Sequence, residues 1–452
     1  MNDPGAARPP ARPSATATSP ADPPAPHVST TPAAASGVDL IDSRYAWLRL
    51  MISLALMTIS GCGMYAVVVV LPAVQAEFGV ARSAASLPYT MTMIGFGIGG
   101  IVMGRLSDRF GVTVPLMIGA VVLSLGFVAA GYAGSLWTYT LAQGLMIGLL
   151  GASATFGPLV TDTSFWFLRR RGIAVAICAS GNYLAGAVWP PIIQHFVETV
   201  GWRQTYVGIG VFCLLTMLPL SLLMRRPVPK TTAAPSGATA SAVAAAIESR
   251  TRPLGMSPGA LQWLLAVAGV ACCVAMSMPQ VHIVAYCGDL GYGAARGAEM
   301  LAVMLGFGVV SRLISGVICD RIGGLRTLLL GSVLQGVALL LFLPFDSLVS
   351  LYVISALFGL FQGGIIPAYA IIVREHFSPA EAGARVGVVL TATLLGMALG
   401  GWMSGVIFDF TGSYDAAFVN GIAWNLLNVT IAVMLLRRSG WRPGSFGRRA
   451  VA

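Results

Sequence analysis

Most of this sequence consists of apolar segments about 20 residues long, separated by short polar or basic stretches. A helix rising about 1.5 Å per residue needs that length to cross a hydrocarbon core about 30 Å thick. A membrane strand would cross in about half as many residues, so the spanning element is the helix. Composition agrees, with 56% hydrophobic and 10% charged residues and a mean hydropathy of +0.80, values foreign to water-soluble domains. Twelve segments are read, at approximately 46–71, 86–106, 113–132, 136–160, 172–196, 203–224, 261–287, 297–318, 325–344, 348–373, 384–408 and 416–436. The expected fold is an all-α integral membrane protein.

The segments divide into two sets of six. Residues 1–43 are rich in Pro, Ala, Ser and Thr and are read as a disordered tail, without the apolar core of a secretory signal. Residues 44–224 make a first bundle and 225–259 a polar linker, basic at both ends. A second bundle at 260–437 and a C-terminal tail at 438–452 follow. The halves repeat: "GRLSDRFG" at Gly104–Gly111 returns as "GVICDRIG" at Gly316–Gly323, and "GLMIG" from Gly144 returns as "GLFQG" from Gly359. Two such halves are one way to build a transporter whose site lies near the membrane midplane.

Loop charge sets the expected orientation. With the N-terminus cytoplasmic, 23 of the 27 Lys and Arg residues lie inside, Arg82, Arg203 and Arg296 lie outside, and Arg312 lies within the bilayer. Both termini and the linker are then cytoplasmic, and the net charge of +10 reflects topology rather than a nucleic-acid partner. Abundant Ala, Gly and Arg suggest a bacterial source and the plasma (inner) membrane. The seven cysteines (Cys62, Cys178, Cys213, Cys272, Cys273, Cys287 and Cys319) show no metal-ligand spacing and read as small packing residues. No hydrolase triad, nucleotide-binding signature or cofactor motif stands out, so the reading is a gradient-driven transporter rather than an enzyme.

Arg312 is the residue that most needs a partner. It precedes Asp320 by eight residues, roughly 12 Å deeper along a helix, too far for easy snorkelling. A guanidinium at that depth costs at least about 2.5–3.5 kcal/mol unless it meets an acceptor. None of the 17 acidic residues sits at the same depth; Asp162, the nearest, lies toward an inner helix end where it could pair with Arg169–Arg171. The acceptor is therefore an anionic ligand or, failing that, water or backbone carbonyls. A single carboxylate suits the planar fork of arginine. Neutral donors and aromatic walls would complete the pocket: Tyr65, Asn182, Trp189, Gln280, His282, Tyr286, Gln362, Tyr369 and Trp402. Each is also compatible with helix packing or interfacial anchoring. His282 reads equally as a substrate or proton ligand and as an interhelical hydrogen-bonding residue. Glycine strings at Gly95–Gly104 and Gly396–Gly405 would let helices approach closely.

The paired "GRLSDRFG" and "GVICDRIG" resemble the loop signature of the major facilitator superfamily, between helices 2 and 3 and between helices 8 and 9. The likeness spans about 46–437 and implies two pseudo-symmetric six-helix bundles. It also implies that Gly104, Asp108 and Arg109, with Gly316, Asp320 and Arg321, gate the inner side. The stretch from Trp166 to Tyr206 is similar to the helix 4–helix 5 signature of monocarboxylate transporters and their oxalate/formate-exchanging bacterial relatives, at Trp166, Phe167, Arg169–Arg171, Gly181 and Gly201–Arg203. In that family a helix 8 arginine followed four residues later by glycine binds the substrate carboxylate, the places of Arg312 and Gly316 here. This sequence departs from the family in "GCGMYA" at Gly61–Ala66, in Gly308 where the animal carriers have aspartate, and in lacking a helix 11 lysine.

The function expected is alternating-access transport of a small monocarboxylate or similar anion, with a proton, a counter-transported anion or neither as its companion. Two other readings are a drug or metabolite exporter of the same superfamily and a sensor that does not transport. An exporter of cations sits poorly with a deep positive charge, and no folded signalling appendage is visible in the sequence.

Overall fold

A computed structural model describes residues 40–226 and 253–440, so most of the expected tails and linker lie outside the described residues. Among the described residues, twelve helices are long and apolar enough to cross a membrane: α1 Arg44–Val69, α2 Arg82–Phe110, α3 Thr113–Gly131, α4 Leu136–Trp166, α5 Arg171–Val200, α6 Trp202–Leu223, α7 Pro258–Asp289, α8 Ala294–Ile322, α9 Gly324–Leu341, α10 Leu348–His376, α11 Glu381–Thr411 and α12 Asp415–Arg438. There is no strand among the described residues. The all-α membrane fold read from the sequence is the observed one.

Even numbers of crossings bring the start of α1 and the end of α12 to one end of the bundle, called here the tail end, opposite the far end. Two boundaries differ from expectation. Asp42, assigned to the tail, docks on the α4–α5 turn: its N–H donates to the Trp166 carbonyl at 3.0 Å, and its carboxylate accepts from the Leu168 and Arg169 amides. Helix α7 starts at Pro258, inside the expected linker, because the Ser257 hydroxyl caps it by accepting from the Ala260 amide at 3.2 Å.

The repeated loop signature is visible in the backbone. Gly111 and Gly323 end α2 and α8 with φ of 80° and 83°, and both have an extended ψ. Side-chain-bearing residues avoid that region, so the last glycine of each "GRLSDRFG"-type motif is required by the turn. The fourth helix of each half is irregular at mid-span. Residues Ala142–Ala152 of α4, which contain "GLMIG", are wound as a π-helix, and α10 breaks at Gly363–Gly364, on the last glycine of "GLFQG" and the residue after it. Such irregularities are tolerated in a membrane where neighbouring helices cover the backbone.

Within each half the glycines bring helices into backbone contact, as their spacing suggests. A Cβ at Gly99 would run into the Leu149 carbonyl of α4, and one at Gly400 would lie 2.6 Å from the Val274 carbonyl of α7. Buried polar residues pair across helices. Tyr139, Gln143 and Tyr206 bond one another in the first half; Asn428 joins Ser332 and Tyr369 in the second. All seven cysteines are buried and unlinked.

The halves meet along two seams, α2 with α11 and α5 with α8. The first runs from Ser83, packed on Gly405, to Gly97, packed on Leu394; the second runs from Ala187, beside Gly306, to Ala179, bonded to Arg312. Among the described residues, every hydrogen bond joining the halves falls between the far end and the level of Arg312. The polar ties between the halves thus run from the far end to mid-membrane, and tailward of them a Cβ at Gly100, Gly104 or Gly316 would meet nothing within 4 Å.

Candidate functional site

Arg312 is 8% exposed and belongs to none of the ion pairs among the described residues. Its Nη1 donates to the Ala179 carbonyl of α5 at 2.8 Å. Its guanidinium carbon lies 4.3 Å from the centre of the Tyr183 ring, a cation–π arrangement. The Nε–H has no acceptor. A buried cation with unused donors and no counter-ion is an unsatisfied site, since burying charge without a partner is costly.

Small residues shape the surroundings. Gly186 on α5 receives the Tyr65 ring of α1: a Cβ there would sit 2.7 Å from the phenol carbon. On α10, Gly363 packs against the Gly308–Ser311 turn of α8, one turn before Arg312. Immediately ahead of that contact Gln362 is fully buried. It accepts from Gln280 of α7 at 3.0 Å, while its own Nε2 has no acceptor. Asn182, one residue before Tyr183, lines a recess between α1, α2, α4 and α5 together with Met57, Met64, Phe96, Thr155 and Phe156. Arg312 and Tyr65 therefore lie where the halves adjoin, while Asn182 lines a recess inside the first half and the Gln280–Gln362 pair joins two helices of the second.

Four of the other five candidates are engaged inside one half. Trp189 donates its indole N–H to the Thr58 carbonyl at 2.8 Å and meets Phe212 edge-on. Tyr369 donates to Asn428 inside the second half at 2.8 Å. Trp402 is 39% exposed. Tyr286 packs edge-on against Tyr414 and Phe418. His282 is fully buried, with Nε2 2.8 Å from the Gly401 carbonyl and Nδ1 3.2 Å from the Tyr414 hydroxyl. A carbonyl can only accept, so Nε2 carries the proton and Nδ1 accepts from Tyr414. Of its two readings, the structure displays the interhelical one.

That histidine adjoins a polar cluster at the far end, of which the sequence reading placed Arg82 on the outer side. Arg82, at the start of α2, is 7% exposed and reaches Asp289 of α7 through both terminal nitrogens, at 3.1 and 3.2 Å. It also donates to the Tyr414 hydroxyl at 2.6 Å. Asp409 of α11 accepts from the Arg82 and Ser83 amides, each at 2.8 Å, capping α2 from the other half. Burial pushes the Tyr414 phenol above its ordinary value, against the pull of Arg82, so it keeps the proton it gives to His282.

Asp162 is paired, though not with Arg169–Arg171. Arg49 of α1 holds both of its oxygens at 2.8 and 2.9 Å, with both side chains 3% exposed, and its guanidinium lies 4.6 Å from the Trp166 ring. Arg49, counted among the inner-loop cations, is a buried residue of α1.

At the tail end Asp108, Arg109, Asp320 and Arg321 are exposed, and none makes a side-chain hydrogen bond or ion pair among the described residues. A Cβ at Gly104 or Gly316 would meet nothing within 4 Å. The carboxylate at the start of α9 is Glu375 of α10, which accepts from the Gly324 amide at 3.1 Å.

The sequence matches the family description Major Facilitator Superfamily over residues 53–348 and 300–449. It is 27% identical over 343 residues to monocarboxylate transporter 13 of Bos taurus, covering 75% of this chain and 76% of that one. It is 25% identical over 350 residues to the MFS-type transporter opdF of Penicillium oxalicum, covering 75% and 78%. The fold is similar to that of a bacterial homologue of the human lysosomal transporter Spinster in its inward-facing, occupied conformation, with a TM-score of 0.67, 15% identity, and 89% of this chain and 100% of that chain covered.

Proposed function

Because the chain belongs to the major facilitator superfamily, we propose that it carries small organic anions, monocarboxylates foremost, across the membrane by alternating access, with Arg312 as the anchor of the carboxylate. The observation that carries this reading is the state of Arg312: buried at mid-membrane, with no carboxylate beside it and an Nε–H without acceptor. The second orphan donor, Gln362 Nε2, also calls for an acceptor rather than a cation. Tyr65 and Asn182 would border the rest of the ligand. The name of the mammalian relative agrees with this substrate class.

By the distribution of Lys and Arg, the tail end faces the cytoplasm of a plasma (inner) membrane. The far-end cluster around Arg82 then closes the outer side, and the parted tail end admits the ligand from within. On closing the inner side, Asp108 and Asp320, with Arg109, Arg321 and the small Gly104 and Gly316, would come into contact with the helices that now stand apart from them. Both nitrogens of His282 are engaged between helices, so exchange or uniport is favoured over a proton relay through that residue.

The test is uptake of labelled acetate, pyruvate and lactate into proteoliposomes. The reading expects saturable uptake of at least one acid, abolished by Arg312→Ala. It expects Arg312→Lys to weaken uptake at least tenfold, because a point charge does not replace the fork. Uptake indifferent to both substitutions would remove the anion anchor.

A further inference from the structure

Arg312 belongs to the second half, yet both groups that hold it belong to the first. Ala179 and Tyr183 are one turn apart on α5 and so share a face. One supplies a carbonyl at 2.8 Å and the other an aromatic face at 4.3 Å. Tyr183 is itself only 5% exposed. Its ring fits because α8 has no side chain at Gly308, where a Cβ would run into the ring. Gly308 lies one turn from Arg312 on the same face of α8, so the gap it leaves opens directly beside the guanidinium.

We propose that Tyr183 is the positioning residue of the anion site, its ring holding the guanidinium of the opposite half in one plane and one orientation. The proposal rests on the reading of Arg312 as the anion anchor. With one N–H committed to Ala179 and one face covered by the ring, the guanidinium has little freedom left. A bidentate carboxylate bond requires such a fixed plane, because both oxygens must meet two parallel N–H groups. The aromatic face stabilises the cation without neutralising it, whereas a carboxylate in the same place would compete with the ligand. The support comes from across the α5–α8 seam, so the anchor is fully shaped only while the halves are packed at this level. Ligand affinity and the contact between halves thereby depend on the same three residues: Gly308, Tyr183 and Arg312.

The experiment measures KM and Vmax for labelled pyruvate, lactate and acetate with the full chain in proteoliposomes. It compares the parent with Tyr183→Phe, Tyr183→Leu, Gly308→Ala and Arg312→Lys. A desolvated cation–π contact corresponds to a change in KM of about 3- to 30-fold. Tyr183→Phe keeps the ring and should stay within about twofold of the parent. Tyr183→Leu and Gly308→Ala should raise KM by that factor, with Vmax per correctly folded carrier changed less. Gly308→Ala serves as the second variant if Tyr183→Leu does not fold, because it displaces the ring and leaves both partners in the chain. If Arg312→Lys impairs uptake while the folded Tyr183→Leu or Gly308→Ala carrier keeps the parent KM, or if Tyr183→Phe is as poor as Tyr183→Leu, the positioning role is wrong and the anion reading stands. If Arg312→Lys is indifferent, or the parent takes up none of the acids, both fall together.

Discussion

Two buried arginines of this protein satisfy their charge in opposite ways. Arg49 has a carboxylate, Asp162, with both oxygens engaged; Arg312 has a ring and a carbonyl. A pair sealed inside one half is structural, because removing either partner strands the other charge. Asp162→Asn or Arg49→Met should each lower stability by about 3–5 kcal/mol, and the double substitution should recover much of that loss. Thermal unfolding of the purified protein measures both. A double variant no more stable than the worse single one contradicts this assignment. Arg312 was legible in the sequence because a charge inside an apolar run is energetically conspicuous wherever its neighbours lie. Its supports were not legible. Tyr183 is one aromatic residue among many in apolar segments, and a backbone carbonyl leaves no mark on sequence. Arg49 misled for a related reason. It stands a few residues into α1, where an inner-loop cation and a buried ion-pair partner look alike until α4 is known to lie beside α1.

Among the elements, α4 and α10 carry the irregular segments and α2, α5, α8 and α11 the seams between halves. Their glycines set how closely these helices approach. The tightest case is Gly359 of α10, where an added Cβ would enter the Met304 carbonyl of α8. Backbone cannot swing aside as a long side chain can, so Gly359→Val should prevent α10 from seating on α8. The expected result is a loss of monodisperse protein on size-exclusion chromatography, with Gly104→Ala, which meets nothing within 4 Å, eluting like the parent. Normal elution of the Gly359 variant would mean that the close approach is dispensable. The twelve segments, the duplicated halves and the small-residue contacts followed from hydrophobic length and repetition, which are local properties of a chain in lipid. The π-helical stretch of α4 and the break of α10 did not, because "GLMIG" and "GLFQG" read as ordinary small-residue helix. Nor did the fate of Trp189, Tyr286, Tyr369 and Trp402, since the sequence gives no rotation about the helix axis once every face is apolar.

For the whole molecule, the polar contacts between the halves are distributed unevenly from one end of the bundle to the other. The halves are tied at the far end by Arg82, Asp289, Asp409 and Tyr414 and at mid-membrane by Arg312, and among the described residues no hydrogen bond joins the two halves tailward of it. The far-end tie is not duplicated, since the residue that repeats Arg82 at the start of α8 is Ala294. One cluster therefore bears the closure of that side. Arg82→Gln should shift the population toward far-end opening. Thr90 lies 9% exposed in the α2–α11 seam and bonds the Ala398 carbonyl at 3.1 Å. A Thr90→Cys thiol should resist a membrane-impermeant maleimide added from the far side and become reactive when Arg82→Gln is also present. Equal labelling in the two backgrounds would mean that Arg82 does not hold the far end shut. In the proposed function the guanidinium of Arg312 is completed by the charge of the cargo. The most direct test is equilibrium competition against a labelled monocarboxylate bound to the purified protein, using acetate, pyruvate and lactate, each alongside its neutral amide. The prediction is that the acids compete, the amides do not, and Arg312→Ala removes the binding, a loss of roughly 2–5 kcal/mol for one partner of a buried charge pair. Amides that compete as well as their acids, or binding that survives Arg312→Ala, would contradict it.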